Sequence, residues 1–311
     1  MSVPDPAAME KEATPTRAGF VALIGAPNAG KSTLLNALVG SKISIVTHKA
    51  QTTRALVRGI TVHRNAQLIF VDTPGIFQPQ RRLERAMVTT AWGGAADADV
   101  VALLVDAKKG LTEAGRAIIE RLGALPAERE RVLILNKIDV VRRDTLLKLA
   151  VDANESGRFG RTFMVSALTG DGLSDLLDYF AAAMPESPFL YPEDQMTDLP
   201  LRFLAAEITR EKLTLRLHHE LPYRATVETE KRTEAKNGVR IDQTIYVERD
   251  SQRKIVLGKG GETVKSISMA ARAEIARLLE RPVHLFLFVK VRENWSDDPE
   301  RYREMGIDFP K

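Results

Sequence analysis

Cysteine is absent from all 311 residues, so neither a disulfide framework nor a thiolate metal site is available, and a reducing cytoplasm suits the chain. Long apolar runs are absent too. The longest, Val100 to Val105, falls far short of the roughly 20 residues that span a bilayer. Residues 1–17 lack the apolar centre of a signal peptide, and their Pro, Glu and Ala content predicts a flexible tail. No tandem repeat or low-complexity tract occurs. His48, His63, His218, His219 and His284 show no metal-like clustering, and no chemistry is assigned to them. Charge is nearly balanced at +4, but the excess is local: residues 201–311 hold 22 Lys and Arg against 18 Asp and Glu.

What is present divides into two grammars. Up to about residue 183, short apolar runs alternate with helical patterns. Strands are predicted at 20–25, 55–63, 67–72, 99–106, 131–136 and 161–166, and helices at 31–39, 81–92, 112–123, 143–154 and 172–183. The tight link Arg64-Asn65 makes one sheet edge antiparallel. The remaining alternation demands crossovers and a mostly parallel six-stranded sheet, an α/β fold. Pro185, Pro188, Pro192 and Pro200 then interrupt the chain. Beyond them a helix (201–217), two strand-like runs (223–231 and 239–249), two helices around a glycine loop and a last strand (283–291) predict a smaller α+β unit. The expected domains are a tail (1–17), a first domain (18–184), a Pro-rich linker (185–200) and a second domain (201–311).

The most informative string is Gly25-Ala26-Pro27-Asn28-Ala29-Gly30-Lys31-Ser32, followed by Thr33. In this G-x-x-x-x-G-K-[ST] pattern, backbone N–H groups and the following helix N-terminus cradle phosphates. Lys31 reaches the terminal phosphates and the Ser32 hydroxyl is placed to ligate Mg²⁺. A chance match in a chain this long has odds of about one in a hundred. The flanking apolar strand and helix place it in the right context.

Asp72-Thr73-Pro74-Gly75 ends a strand, where a carboxylate can hold Mg²⁺ through water and the Gly75 N–H can approach a γ-phosphate. Asn136-Lys137-Ile138-Asp139 reads a base. The Asp139 carboxylate can accept from N1–H and the 2-amino group of guanine, which adenine lacks. The Lys137 stem can lie over the base plane, the Asn136 amide ties loops together, and Ser166-Ala167-Leu168 adds a backbone contact to the base oxygen. Within Ser41–Arg54, Thr53 rather than Thr52 is expected to reach Mg²⁺ only when a γ-phosphate is present, an order–disorder switch. Gly25, Asp72, Asn136 and Ser166 all follow strands, where α/β sheets bind ligands.

In this order the motifs resemble those of the translation-factor-class GTPases. Lys49-Ala50-Gln51-Thr52-Thr53-Arg54 and Leu257-Gly258-Lys259-Gly260-Gly261 bring the resemblance to the Era-type bacterial family over residues 18–311, with Ala50 where that family often has Pro. The resemblance implies GTP hydrolysis with Lys31, Thr53 and Gly75 in catalytic roles. Ile76 stands where Ras-like enzymes place a water-orienting Gln. In some relatives a phosphate-loop asparagine helps bind K⁺, and Asn28 matches it.

G-x-x-G alone is uninformative, but Gly258–Gly261 lies between two helices backed by strands, which matches a type II KH domain. Arg253, Lys254, Lys259 and Lys265 would neutralise RNA phosphates while Gly258, Gly260 and Gly261 let the backbone approach. Ile255 and Val264 are expected in the core by default. The resemblance further implies GTP and GDP as ligands, the 3′ end of 16S ribosomal RNA and the 30S subunit as partners, and loose contact with the inner membrane from the cytoplasm; DNA is not expected. Two alternatives remain open at this level: a constitutive RNA-binding scaffold with structural nucleotide, and a membrane-surface signalling switch.

Overall fold

The apolar run after the tail forms β1 (Arg17–Gly25), the central strand of the first domain. Residues 21–24 are fully buried, which a strand covered on both faces requires. In the computed structural model β1 pairs in parallel with both β3 (Ala66–Asp72) and β4 (Val100–Asp106). β2 (Val57–His63) lies antiparallel on the edge, turned through Arg64 in the left-handed conformation, φ 55°. β5 (Glu130–Asn136) and β6 (Arg161–Val165) complete the order β2-β3-β1-β4-β5-β6. The structure describes residues 15–49, 51–126, 128–218 and 220–310, so most of the expected tail, Ala50 and His219 lie outside the described residues.

Helices α1 (Lys31–Val39), α2 (Arg82–Asp97), α3 (Glu113–Leu122), α4 (Arg143–Ser156) and α5 (Leu173–Ala183) supply the crossovers. Two apolar clusters, one on each sheet face, result; Leu34, Phe70 and Phe180 anchor one, Ile24, Trp92 and Ile118 the other. α2 runs five residues past its expected end. Its buried stripe of Met87, Ala91 and Ala95 carries it through Gly93-Gly94.

The Pro-rich segment is not a loose tether. Ile60 N donates to Met196 O at 2.8 Å, Arg58 pairs with Asp198 at 2.8 Å, and the Gln67 amide binds Leu190 and Tyr191. It therefore caps the outer edge of β2, satisfying groups an edge strand leaves open.

The second domain is α6 (Leu201–Arg216), β7 (Ala225–Ala235), β8 (Gly238–Val247), α7 (Asp250–Leu257), α8 (Glu262–Leu279) and β9 (Val283–Val291). Its sheet has the order β7-β8-β9, the first pair antiparallel and the second parallel. Leu213, Ile245, Val256 and Ile267 form a core between helices and sheet. A segment beyond β9, with α9 (Pro299–Glu304), was not expected from sequence. It buries Trp295 and Tyr302 and packs Tyr302 and Ile307 against Ala55 and Ala86 of the first domain.

Candidate functional site

The carboxyl ends of β1, β3, β4 and β5 converge, and every motif picked out in the first domain lies there. Gly30 has φ 101°, and a Cβ on it would stand 2.2 Å from the Asn136 side-chain nitrogen. Only glycine permits both the turn and this approach. α1 then begins at Lys31 with no acidic residue in its first turn, leaving its positive end for an anion. The Lys31 ammonium donates to the carbonyls of Gly25 at 3.1 Å and Ala26 at 3.3 Å. Burial pushes it down to about 8, against the opposing pull of Asp72.

Around Asp72 the donors are all oxygens. Its Oδ2 accepts from Ser32 at 2.6 Å, Ser44 at 2.8 Å and Thr53 at 3.2 Å, while the buried Oδ1 has no hydrogen-bond partner among the described residues. Burial raises the Asp72 pKa, opposed by Lys31 and the three hydroxyls. Crowded hydroxyls and an unmatched carboxylate oxygen suit a hard divalent cation, so the residues present fit Mg²⁺. Thr53, not Thr52, belongs to this cluster; the Thr52 hydroxyl bonds Lys49 O at 2.8 Å. Ser44 was missed in the sequence, where a lone serine in a polar loop carries no signal.

Asn136-Lys137-Ile138-Asp139, the string expected to read a base, is tied to the loop 25–32. Asn136 Nδ2 donates to Ala29 O at 2.9 Å, and its Oδ1 accepts from Ala167 N at 3.0 Å. Lys137, at φ 70°, reaches Asn28 O at 2.8 Å and Asp106 Oδ2 at 2.7 Å. Asp106 was also missed, although its place at the end of β4 matches that of Asp72. Ser166 Oγ donates to Asp139 Oδ1 at 2.6 Å, so the serine side chain orients the carboxylate. Leu168 is 80% exposed at the rim. Asn28 Nδ2 donates to His48 O at 3.1 Å, linking the phosphate loop to the switch segment. Thr73 Oγ1 bonds Leu23 O at 2.8 Å, fixing the Asp72–Gly75 turn, and Gly75 faces Pro27. Ile76 is buried in the cluster with Ala91 and Trp92.

In the second domain the glycine loop links α7 to α8, with Gly258 at φ 74° beside Thr263. Arg253, Lys254, Lys259 and Lys265 are exposed around Gly260 and Gly261. Arg253 and Lys254 each sit 3.4 Å from Asp250. Ile255 is 58% exposed, against its expected place in the core, because Val256 takes the inward position on α7. Val264 is half-buried.

The segment expected to act as a switch, residues 41–54, docks on the second domain directly. Lys42 pairs with Glu211 at 2.7 Å and with Glu274, and Val46 N donates to Glu211 Oε1 at 2.9 Å. Lys49 donates to Thr214 O at 2.6 Å, and Arg210 to Thr52 O. Arg54 donates to the carbonyls of Pro222 and Ala225, both at 3.0 Å.

Sheet order, phosphate cradle and glycine loop together define a P-loop GTPase joined to a KH domain. A family profile described as a 50S ribosome-binding GTPase matches residues 20–137, and one described as a KH domain matches residues 220–296. GTPase Era of Sinorhizobium medicae is 67% identical over 300 residues, covering 96% of each chain. Era of Mesorhizobium japonicum is 67% identical over 304 residues, covering 97% of each. Among solved structures, Era in complex with MgGDPNP and nucleotides 1506–1542 of 16S ribosomal RNA aligns with a TM-score of 0.89 at 37% identity, covering 94% of this chain and 99% of that one. An Aquifex aeolicus Era variant bound to GDP·AlF₄⁻ aligns at 0.87 and 36% identity over the same shares. This chain belongs to the Era family of GTPases.

Proposed function

We propose that this GTPase binds 16S ribosomal RNA near its 3′ end and that the bound nucleotide governs this binding during 30S subunit assembly. The observation that carries the reading is the docking of the switch segment on α6. Thr53 shares a hydroxyl cluster with Ser32 and Asp72, while neighbouring Thr52 is held by Arg210 of the KH domain. A γ-phosphate that captures Thr53 therefore pulls on the domain junction without needing the linker, which is bonded along β2. The RNA side rests on the exposed basic residues around Gly258–Gly261 and on the relative solved with MgGDPNP and a 16S fragment.

In this reading Ser32, Thr53 and Asp72 hold Mg²⁺, which supplies charge neutralisation on the phosphates when bound. Lys31 and the loop amides of residues 25–33 hold the phosphate oxygens, and Gly75 N–H meets the γ-phosphate. Ile76 offers no hydrogen bond to the attacking water, so backbone groups orient it and intrinsic turnover is slow. Asn28 Nδ2 donates to the His48 carbonyl, and the Asn28 Oδ1 is a neutral oxygen of the kind that suits K⁺. Asp139, oriented by Ser166, selects guanine. The working compartment is the cytoplasm, with the basic surface of α7 available for peripheral contact with the inner membrane. Among the described residues no helix is long and apolar enough to cross a membrane.

Crosslinking the protein to assembling ribosomal particles and mapping the attached nucleotides tests the proposal. Crosslinks from α7 and α8 should cluster at the 3′ end of 16S RNA. Crosslinks concentrated in 23S RNA, or scattered without preference, would overturn it.

A further inference from the structure

Between the two domains lies a cavity of about 500 Å³, away from both the phosphate loop and the glycine loop. This volume is within the range of small-molecule sites, about 300–1,000 Å³. Its floor carries three buried arginines. Arg54 comes from the switch segment, Arg210 from α6 and Arg301 from α9. Arg58, Arg202 and Arg303 stand nearer its mouth, with Arg202 and Arg303 exposed.

Carboxylates answer only part of this charge. Asp198 pairs with Arg58 at 2.8 Å, Glu207 with Arg210, and Glu228 with Arg301 at 2.5 Å. The lining holds six guanidinium groups and three carboxylates, and Asp298 stands 3.6 Å from Arg301 as a fourth, which leaves a formal excess of two positive charges. Arg54 and Arg202 are held by main-chain carbonyls, which leave their charge in place. α6 opens into the same space with Pro200 as its cap and no acidic residue in its first turn, adding the positive end of a 16-residue helix.

We infer that this junction cavity is a binding site for a small metabolite carrying two phosphate groups, distinct from the nucleotide site. Paired phosphates supply the compensating charge and accept forked hydrogen bonds from guanidinium groups. The ligand would touch the switch segment, α6 and α9 together. Its occupancy would fix the junction and, through Arg54 and Arg210, the backbone around Thr52 and Thr53. The inference is independent of the RNA reading.

The test is a calorimetric titration of fructose 1,6-bisphosphate, as a diphosphorylated probe, into protein saturated with GDP and Mg²⁺, with fructose as the uncharged control. Saturable binding at one site is expected for the bisphosphate and none for fructose. Arg202→Gln and Arg303→Gln should each weaken it about tenfold or more. Both variants should keep the melting temperature and GDP affinity of the parent, separating site loss from misfolding. Absence of binding to the GDP-saturated protein would overturn the inference, as would binding that persists unchanged in both variants. Displacement of the probe by a 16S 3′-end oligonucleotide would assign the cavity to the RNA backbone and overturn it equally.

Discussion

Arg210, buried in the first helix of the KH domain, donates a hydrogen bond to the main-chain carbonyl of Thr52, one residue before Thr53. It also pairs with Glu207 on its own helix. One guanidinium thus joins the segment proposed to sense the nucleotide to the KH domain. Arg210→Met should cost about 3 kcal/mol in a denaturant titration, because Glu207 is left without its partner. The double variant Arg210→Met/Glu207→Leu should recover much of that loss. Neither should restore nucleotide control of RNA binding, which separates coupling from stability.

Lys31 ties nucleotide affinity to pH. Burial pushes its pKa down to about 8, from the ordinary lysine value of 10.5. Between these values the unfolded chain holds a proton that the fold has released, so this group makes stability rise with pH across that window. Phosphates favour the charged ammonium. Nucleotide binding above pH 8 should therefore take up a proton, and affinity should fall by up to about tenfold per pH unit. Calorimetry of GDP binding in buffers of different ionisation enthalpy measures the uptake, and Lys31→Met should abolish it. Equal heats across buffers at pH 9 would contradict the assignment.

In the proposed reading guanine selection rests on Asp139, which accepts a hydrogen bond from Ser166 at 2.6 Å. Asp139→Asn should weaken GTP binding by about 2–4 kcal/mol and shift preference toward xanthosine triphosphate, because the amide now matches the altered base. Competition binding with the two nucleotides checks this. Ser166→Ala should weaken GTP by a smaller amount without changing preference, since it loosens the carboxylate and leaves its chemistry intact.

Much of the first domain was legible because buried parallel strands read as continuous apolar runs and each motif had to follow one. The KH order was legible from the change of period after the prolines. Ser44 and Asp106 were not, since each acts through a partner distant in sequence, Asp72 and Lys137. The segment around Trp295 and Tyr302 was hidden because its helix is short and its burial comes from packing on the other domain. Lys42, Lys49 and Arg54 looked like ordinary loop charges; only the fold sets α6 opposite them. The Pro-rich segment, read as a linker, is bonded along β2, while residues 42–54 and the segment around Tyr302 make the contacts between the domains.

Hydrolysis should respond to the monovalent cation. Ile76 cannot orient water, and Asn28 lies against the switch carbonyl of His48. Turnover of GTP should be slow in Na⁺ and several-fold faster in K⁺, and Asn28→Ala should remove the difference while keeping GDP affinity. Fast turnover that is equal in both salts would leave Asn28 without this role.

The central claim is that the γ-phosphate controls the RNA-binding unit. It is tested most directly by the affinity for a 16S 3′-end fragment, measured with a non-hydrolysable GTP analogue, with GDP, and with no nucleotide. A docked switch that senses the γ-phosphate predicts tighter binding with the analogue by about tenfold or more, a coupling of at least about 1.4 kcal/mol. Equal affinities in all three states would mean that nucleotide only stabilises the fold and that the contact between Arg210 and Thr52 transmits nothing.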